Sequence, residues 1–341
     1  MKKIFKQAII TVIAVAAAAS AFAVGKDEKP RNIILIGWDA AQRNHVKECL
    51  EKGELPNIKK LSSEGALVAI DILRVTDTKA GWSQILTGYE PEITGVFSNS
   101  RYQPIPKGYT VFERLEQYFS PQDFFTAAVI GKKGHVDADA PVKREIKNEK
   151  QKGKLLQKKQ SDGRIVVEDG KTYFVVPGKP YYNASQGMDL FQNGLVKNEN
   201  VGERTLELLG QNANRPFFFF VHFAEIDAQG HKFGENSKES NDAYISDDLW
   251  TGKIMEKLKE LGIYDKTLIY VTADHGFDEG LTGHVDAPYV FLATNDPKVM
   301  RRGFRADITP TILDRFGVDL SKIQPPLDGR PLTKPYEPEK W

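Results

Sequence analysis

A single cysteine, Cys49, serves the whole of this 341-residue chain. No disulfide can form within it, so the fold must be held by its packed core even in an oxidising compartment. An excess of either charge is also missing: 47 Lys and Arg stand against 46 Asp and Glu, a formal +1. The first 23 residues hold three lysines and no acid, so without them the balance is +1 − 3 = −2. That argues against a nucleic-acid-binding module. Beyond this segment no stretch is apolar over the ~20 residues that a bilayer crossing needs. Repeats and low-complexity tracts are absent, and with 40% hydrophobic residues the chain reads as an ordinary globular one.

What is present begins with a leader. Lys2, Lys3 and Lys6 precede an apolar core from Ile9 to Ala19, and Ala21-Phe22-Ala23 follows in the small-x-small pattern of a secretory cleavage site. Cleavage after Ala23 is expected, with a periplasmic or secreted location, and residues 24–341 are expected to form one domain.

Short apolar runs alternate with amphipathic segments through the rest. Asn32 to Ile36, Phe124 to Ile130, Pro216 to Val221, Leu268 to Val271 and Tyr289 to Leu292 read as buried strands. Helical patterns fall at Pro56–Leu61, Thr110–Gln117, Val201–Leu209 and Asp242–Leu261, with a helix start near Ala306. Gly65 to Ile70 reads as the return strand of a βαβ unit with the first. The fold class is therefore α/β: an open, mostly parallel sheet with helices on both faces. Ligands of such sheets collect beyond the carboxyl ends of the strands.

Those ends carry the metal-binding side chains. Asp39 closes the first strand; Asp227 and His231, four apart on a helical turn, follow the Phe217–Val221 run; Asp274, His275 and His284 follow Val271. Three carboxylates and three imidazoles suit two ions with open positions better than one closed structural site. Thr78 falls near a helix N-terminus, where it either caps the helix or stands as a nucleophile beside a bound anion. Gly131-Lys132-Lys133-Gly134-His135 reads as a surface loop. Residues 142–164 hold nine Lys or Arg against three acids and read as a solvated basic excursion, or else as a lid over an anionic substrate.

Taken together, these residues resemble the alkaline phosphatase superfamily, in its branch of nucleotide pyrophosphatase/phosphodiesterases and sulfatases. Thr78 stands nine residues before Thr87-Gly88, the spacing of the family's threonine nucleophile, and Asn99 lies twelve after Thr87, at the place of its phosphate-binding asparagine. The Gly131–His135 segment is similar to the sulfatase G-K-x-x-H, which implies that Lys132 or His135 touches the substrate anion. The residues that follow Thr78 depart from the family's Phe-Pro-Asn, which bears on the nucleotide side of the pocket.

The resemblance implies two divalent ions, most readily Zn2+, with Mn2+ or Fe as alternatives. Asp39, Asp274, His275 and Thr78 would hold one, and Asp227, His231 and His284 the other. It implies a hydrolase of small-molecule phosphate esters, phosphodiesterase or nucleotide pyrophosphatase in type, acting through Thr78 and a phosphothreonine intermediate. A sulfatase-like or phosphonate hydrolase and an alkaline phosphomonoesterase remain open, as does an inactive metal-binding periplasmic protein.

Overall fold

The computed structural model describes residues 29–157, 163–287 and 289–336. The expected leader lies outside them, as do five residues of the basic segment. The strands are β1 (Asn32–Trp38), β2 (Ala66–Asp71), β3 (Phe125–Ile130), β4 (Val142–Glu145), β5 (Arg164–Glu168), β6 (Lys171–Val176), β7 (Leu190–Asn193), β8 (Phe217–Phe223), β9 (Thr267–Thr272), β10 (Tyr289–Thr294) and β11 (Gly303–Phe304). Eight of them form one sheet in the order β11-β2-β10-β9-β1-β8-β3-β7. Its pairings are parallel except where β10 runs antiparallel to both β9 and β2.

Every residue of β1, β8 and β9 is buried. Side chains alternate between the faces of a strand, so burial of all of them means that both faces are covered. Two groups of helices do this: Pro56–Glu64, Asn198–Asn212 and Lys238–Glu260 pack together, and Thr78–Thr87, Val111–Tyr118 and Ile308–Phe316 form the other group. Phe217 to Phe220 contribute to both sides of the core.

The βαβ expectation is corrected in its detail. β2 does run parallel to β1, but β9 and β10 lie between them, so the two strands never pair. A short strand with partly exposed residues suits a place near the sheet edge, and the sequence offered nothing to tell adjacency from a skipped position. The basic segment is also more than a loop. β4, β5 and β6 make a separate antiparallel sheet in the order β4-β6-β5, with the helix Glu149–Gln157 between β4 and β5. Its lysines are largely exposed, and Lys143 pairs with Glu168, Lys152 with Glu149 and Lys171 with Glu145. The chain leaves and returns at one point: Lys179 N donates to Asp139 O at 2.8 Å, and Tyr181 N to Asp137 O at 3.0 Å. No helix among the described residues is long and apolar enough to cross a membrane.

At the far end of the chain a buried ion pair fixes the Ile308–Phe316 helix to the sheet. Arg315 Nε lies 2.9 Å from Asp296 Oδ2, which also accepts a 2.6 Å bond from the Tyr270 hydroxyl on β9. Removing one partner of such a pair strands the other in a dry interior. Arg315→Leu is expected to cost about 3–5 kcal/mol, read as a lower urea midpoint with the slope unchanged. An unchanged midpoint would show that Asp296 is adequately served by Tyr270 alone.

Candidate active site

β8, β1 and β9 are neighbours in that order and parallel, so their carboxyl ends lie side by side at one edge, with strands about 4.8 Å apart. Asp39 follows Trp38 directly. Asp227 and His231 occupy the helix Glu225–Phe233 that begins after β8, and Asp274 and His275 follow β9. The sequence-predicted ligands therefore meet, in two groups. Asp39, Asp274 and His275 offer ligand atoms within 4.8 Å of one another, as do Asp227, His231 and His284.

Two glycines let the elements approach. A Cβ on Gly81 would lie 2.7 Å from the Asp274 Cβ, so the Thr78–Thr87 helix can rest on the β9 end only with glycine there. A Cβ on Gly230 would meet the Phe277 ring at 2.3 Å, which explains the glycine between Asp227 and His231.

Thr78 opens its helix as the first helical residue; the capping position is Asp77. Asp77 does not cap the helix but accepts from Asn99 N at 2.9 Å. Asn99 in turn places Oδ1 3.0 Å from Lys79 N and is held by Lys79 Nζ on its carbonyl at 2.7 Å. Its amide group is thus fixed beside Thr78. Thr78 Oγ1 sits 3.2 Å from His275 Nε2.

The Lys132 loop keeps Lys133 exposed, as a surface loop would, but Lys132 itself turns toward the clusters. It follows β3, next to β8 in the sheet, and Lys132 reaches inward: Nζ is 2.7 Å from Asp227 Oδ2, 3.5 Å from Asp39 Oδ1 and 3.5 Å from Thr78 Oγ1. Three carboxylates draw it in, a signal invisible to local patterning. His135 lies close by, its pKa pushed down to about 4 by burial and by the Lys132 charge.

Two further residues were not singled out by the sequence. His222, buried in β8, sets Nε2 2.9 Å from Asp39 Oδ2 and so orients that carboxylate. Its signal was a lone polar residue in an otherwise apolar strand. Arg305 donates to the Asp274 carbonyl at 2.6 Å and to the Val75 carbonyl at 2.9 Å, tying the β9 end to the chain before Thr78.

The electrostatics follow from crowding. Burial opposes charge on Asp39, yet Lys132 and the hydrogen bond from His222 override it and hold the carboxyl well below its usual range. Asp274 goes the other way, raised well above that range by burial and by Asp39 beside it. Burial pushes His275 down to about 3, leaving a neutral imidazole with Nε2 toward the carboxylates. His231 fixes Nδ1 on Thr282 O at 2.9 Å, which leaves Nε2 for the cluster. Asp39 Oδ1 and Asp274 Oδ2 are buried and accept no hydrogen bond. A neutral His275 beside under-satisfied carboxylate oxygens fits a divalent ion well, while the hydrogen bond with Asp227 raises the pKa of His231.

The architecture defines the class. The chain is similar to a protein of the alkaline phosphatase superfamily from Vibrio parahaemolyticus, with a TM-score of 0.54 and 18% identity over 91% of this chain and 71% of that one. The alkaline phosphatase from the Antarctic bacterium TAB5 matches at 0.53 and 14% identity, over 86% of this chain and 99% of that one. The fold is alkaline phosphatase-like. Within it, residues 33–320 match the model of the type I phosphodiesterase / nucleotide pyrophosphatase family, and the chain belongs to that family of phosphoric ester hydrolases. Among relatives, human bis(5'-adenosyl)-triphosphatase ENPP4 is 25% identical over 256 residues, 73% of this chain and 48% of its own. Mouse ectonucleotide pyrophosphatase/phosphodiesterase family member 1 is 30% identical over 141 residues, covering 37% and 15%. The chain spans about half the length of the ENPP4 relatives it matches.

If the two clusters hold divalent ions, the metal must stabilise the folded chain. At an ion concentration 100 times the dissociation constant, the free energy of unfolding is expected to rise by about 2.7 kcal/mol, and excess chelator to reverse it. A melting curve indifferent to Zn2+, Mn2+ and chelator would exclude metal at these residues.

Proposed function

We propose that the chain is an exported hydrolase of phosphate esters in which Thr78 is the covalent nucleophile. One observation carries this reading: a hydroxyl at a helix N-terminus, 3.2 Å from His275 and 3.5 Å from Lys132, where both ligand clusters converge. Asp39, Asp274, His275 and Thr78 would hold one divalent ion, and Asp227, His231 and His284 a second. Such ions, Zn2+ or alternatively Mn2+ or Fe, supply Lewis-acid charge at the attacking and departing oxygens.

The chain's own residues do the rest. Thr78 Oγ1 loses its proton to solvent and attacks phosphorus as the bond to the ester oxygen breaks in line; that oxygen leaves and takes up a solvent proton, and water then attacks the phosphothreonine, releasing the phosphate and returning a proton to Thr78 Oγ1. The Asn99 amide group and the Thr78 backbone N–H hold a non-bridging oxygen. Lys132, and His135 behind it, add positive charge and a neutral donor to the same pocket.

That charge favours a monoester within the reading. A phosphomonoester dianion carries one more negative charge than a diester and gains more from a third cation next to the reacting oxygen. The name of the human relative points to a dinucleoside triphosphate, so such a nucleotide belongs in the assay beside aryl phosphate monoesters, diesters and sulfates.

Two outcomes test the proposal. Thr78→Ala should keep fold and metal content but lower turnover by orders of magnitude, whereas a threonine that merely opened the helix after its cap Asp77 could be replaced with activity spared. Acid quench after brief turnover should leave the phosphoryl label on the Thr78 peptide, and label elsewhere overturns the mechanism. Separately, Lys132→Met should lower kcat/KM for an aryl monoester at least tenfold more than for the matching diester. Equal losses would make Lys132 a support for Asp227 and not a reader of substrate charge.

A further inference from the structure

Behind the clusters lies a second set of buried polar groups that the proposed chemistry does not use. His45, in the helix Arg43–Lys52, places Nδ1 2.7 Å from Glu235 Oε1, and both side chains are almost fully buried, 6% and 1% exposed. Its Nε2 lies 3.2 Å from Asn241 Oδ1, as does the Cys49 sulfur. The ring stacks on Tyr244, with centroids 4.3 Å apart. Burial works against charge on His45, but its contacts with Cys49 and Glu235 raise its pKa to about 10.

The other oxygen of Glu235 faces the ligand loop. Oε2 accepts from Gly280 N at 3.1 Å, while Glu235 N donates to Leu281 O at 3.0 Å. Two residues of the segment between His275 and His284 are thus clamped to one buried side chain and its own backbone. The same assembly reaches the Asp39 turn: the Tyr244 hydroxyl accepts from Gln42 N at 2.9 Å, and Gln42 packs under Gly276. Beyond the clamp the loop is open to solvent, with Leu281 58% and Val285 83% exposed. Apolar packing cannot hold such a tip in place.

We propose that the buried His45–Glu235 ion pair is a positioning device that fixes the 276–284 loop and, through it, sets His284 against Asp227 and His231. Its consequence for metal rests on the two-ion reading; its consequence for the loop does not. A buried carboxylate with a charged partner is rigid because moving it would leave one charge alone in the interior. Supports one step removed from the ligands change metal affinity by about 10–100-fold when lost.

Glu235→Gln tests this, because it keeps the volume and an acceptor for Gly280 N–H while removing the charge. In metal-free protein, amide exchange over residues 278–284 should quicken at least tenfold while β1 and β9 keep their protection. In titrations with Zn2+ against a competing chelator, one of two bound ions should bind at least tenfold less tightly, the other unchanged. Exchange that is unaltered, or that rises uniformly across the sheet, overturns the proposal, as does equal weakening of both ions. If Glu235→Gln does not fold, His45→Gln removes the charge from the other side and must give the same local loosening. Should the protein bind fewer than two ions, the exchange result still decides the loop, while the functional reading fails by itself.

Discussion

Three carboxylates forced together in a dry setting govern this molecule. Asp39, Asp227 and Asp274 are brought to one edge by three adjacent parallel strands, whose mostly apolar and wholly buried residues suit the interior of the sheet. Like charges so placed cannot all ionise without cations. Lys132 supplies one charge and reaches inward to do so; burial and the neighbouring Asp39 raise the pKa of Asp274 well above the usual carboxylate range. The same repulsion that would weaken a plain fold makes a strong demand for divalent ions, and a hydroxyl at Thr78 stands where that demand is met.

Much of this was legible in the sequence, because continuous apolar runs ending in a carboxylate have few other meanings in an α/β chain. Asp39, Asp274 and His275 needed only the strand ends to be found. Asp227 and His231 needed helical periodicity as well, and His284 needed the loop to fold back. What local pattern could not show was anything set by the order of strands. The separation of β2 from β1 depends on which strands slot between them, and that is a matter of the whole sheet. Lys132 stood out only through its likeness to the sulfatase segment, and its contact with the carboxylates was invisible because those residues lie far away along the chain. His222 and the His45–Glu235 pair were hidden for the same reason.

The supports around the clusters show a division of labour. Three of the ligands are held by contacts from different elements: His222 for Asp39, Arg305 for the Asp274 backbone, and the Thr282 carbonyl for His231. Lys132, by contrast, is shared, reaching Asp39, Asp227 and Thr78 at once. Thr78 is exceptional. Its neighbours Asp77, Lys79 and Asn99 form one closed set of hydrogen bonds, which holds the helix start as a unit.

The chain enters and leaves the basic sheet of β4, β5 and β6 at a pinch, where Asp137 and Asp139 meet Tyr181 and Lys179. Both ends of the excursion are tied there, so its interior can lengthen, shorten or change sequence without altering the register of any strand in the large sheet. Loop closure costs rise only slowly with length. Because the pinch follows directly on the Lys132–His135 turn, whatever is grafted at that point stands beside the pocket. Selection therefore has a place to reshape what reaches the chemistry while leaving the chemistry itself, and the strands that position it, untouched.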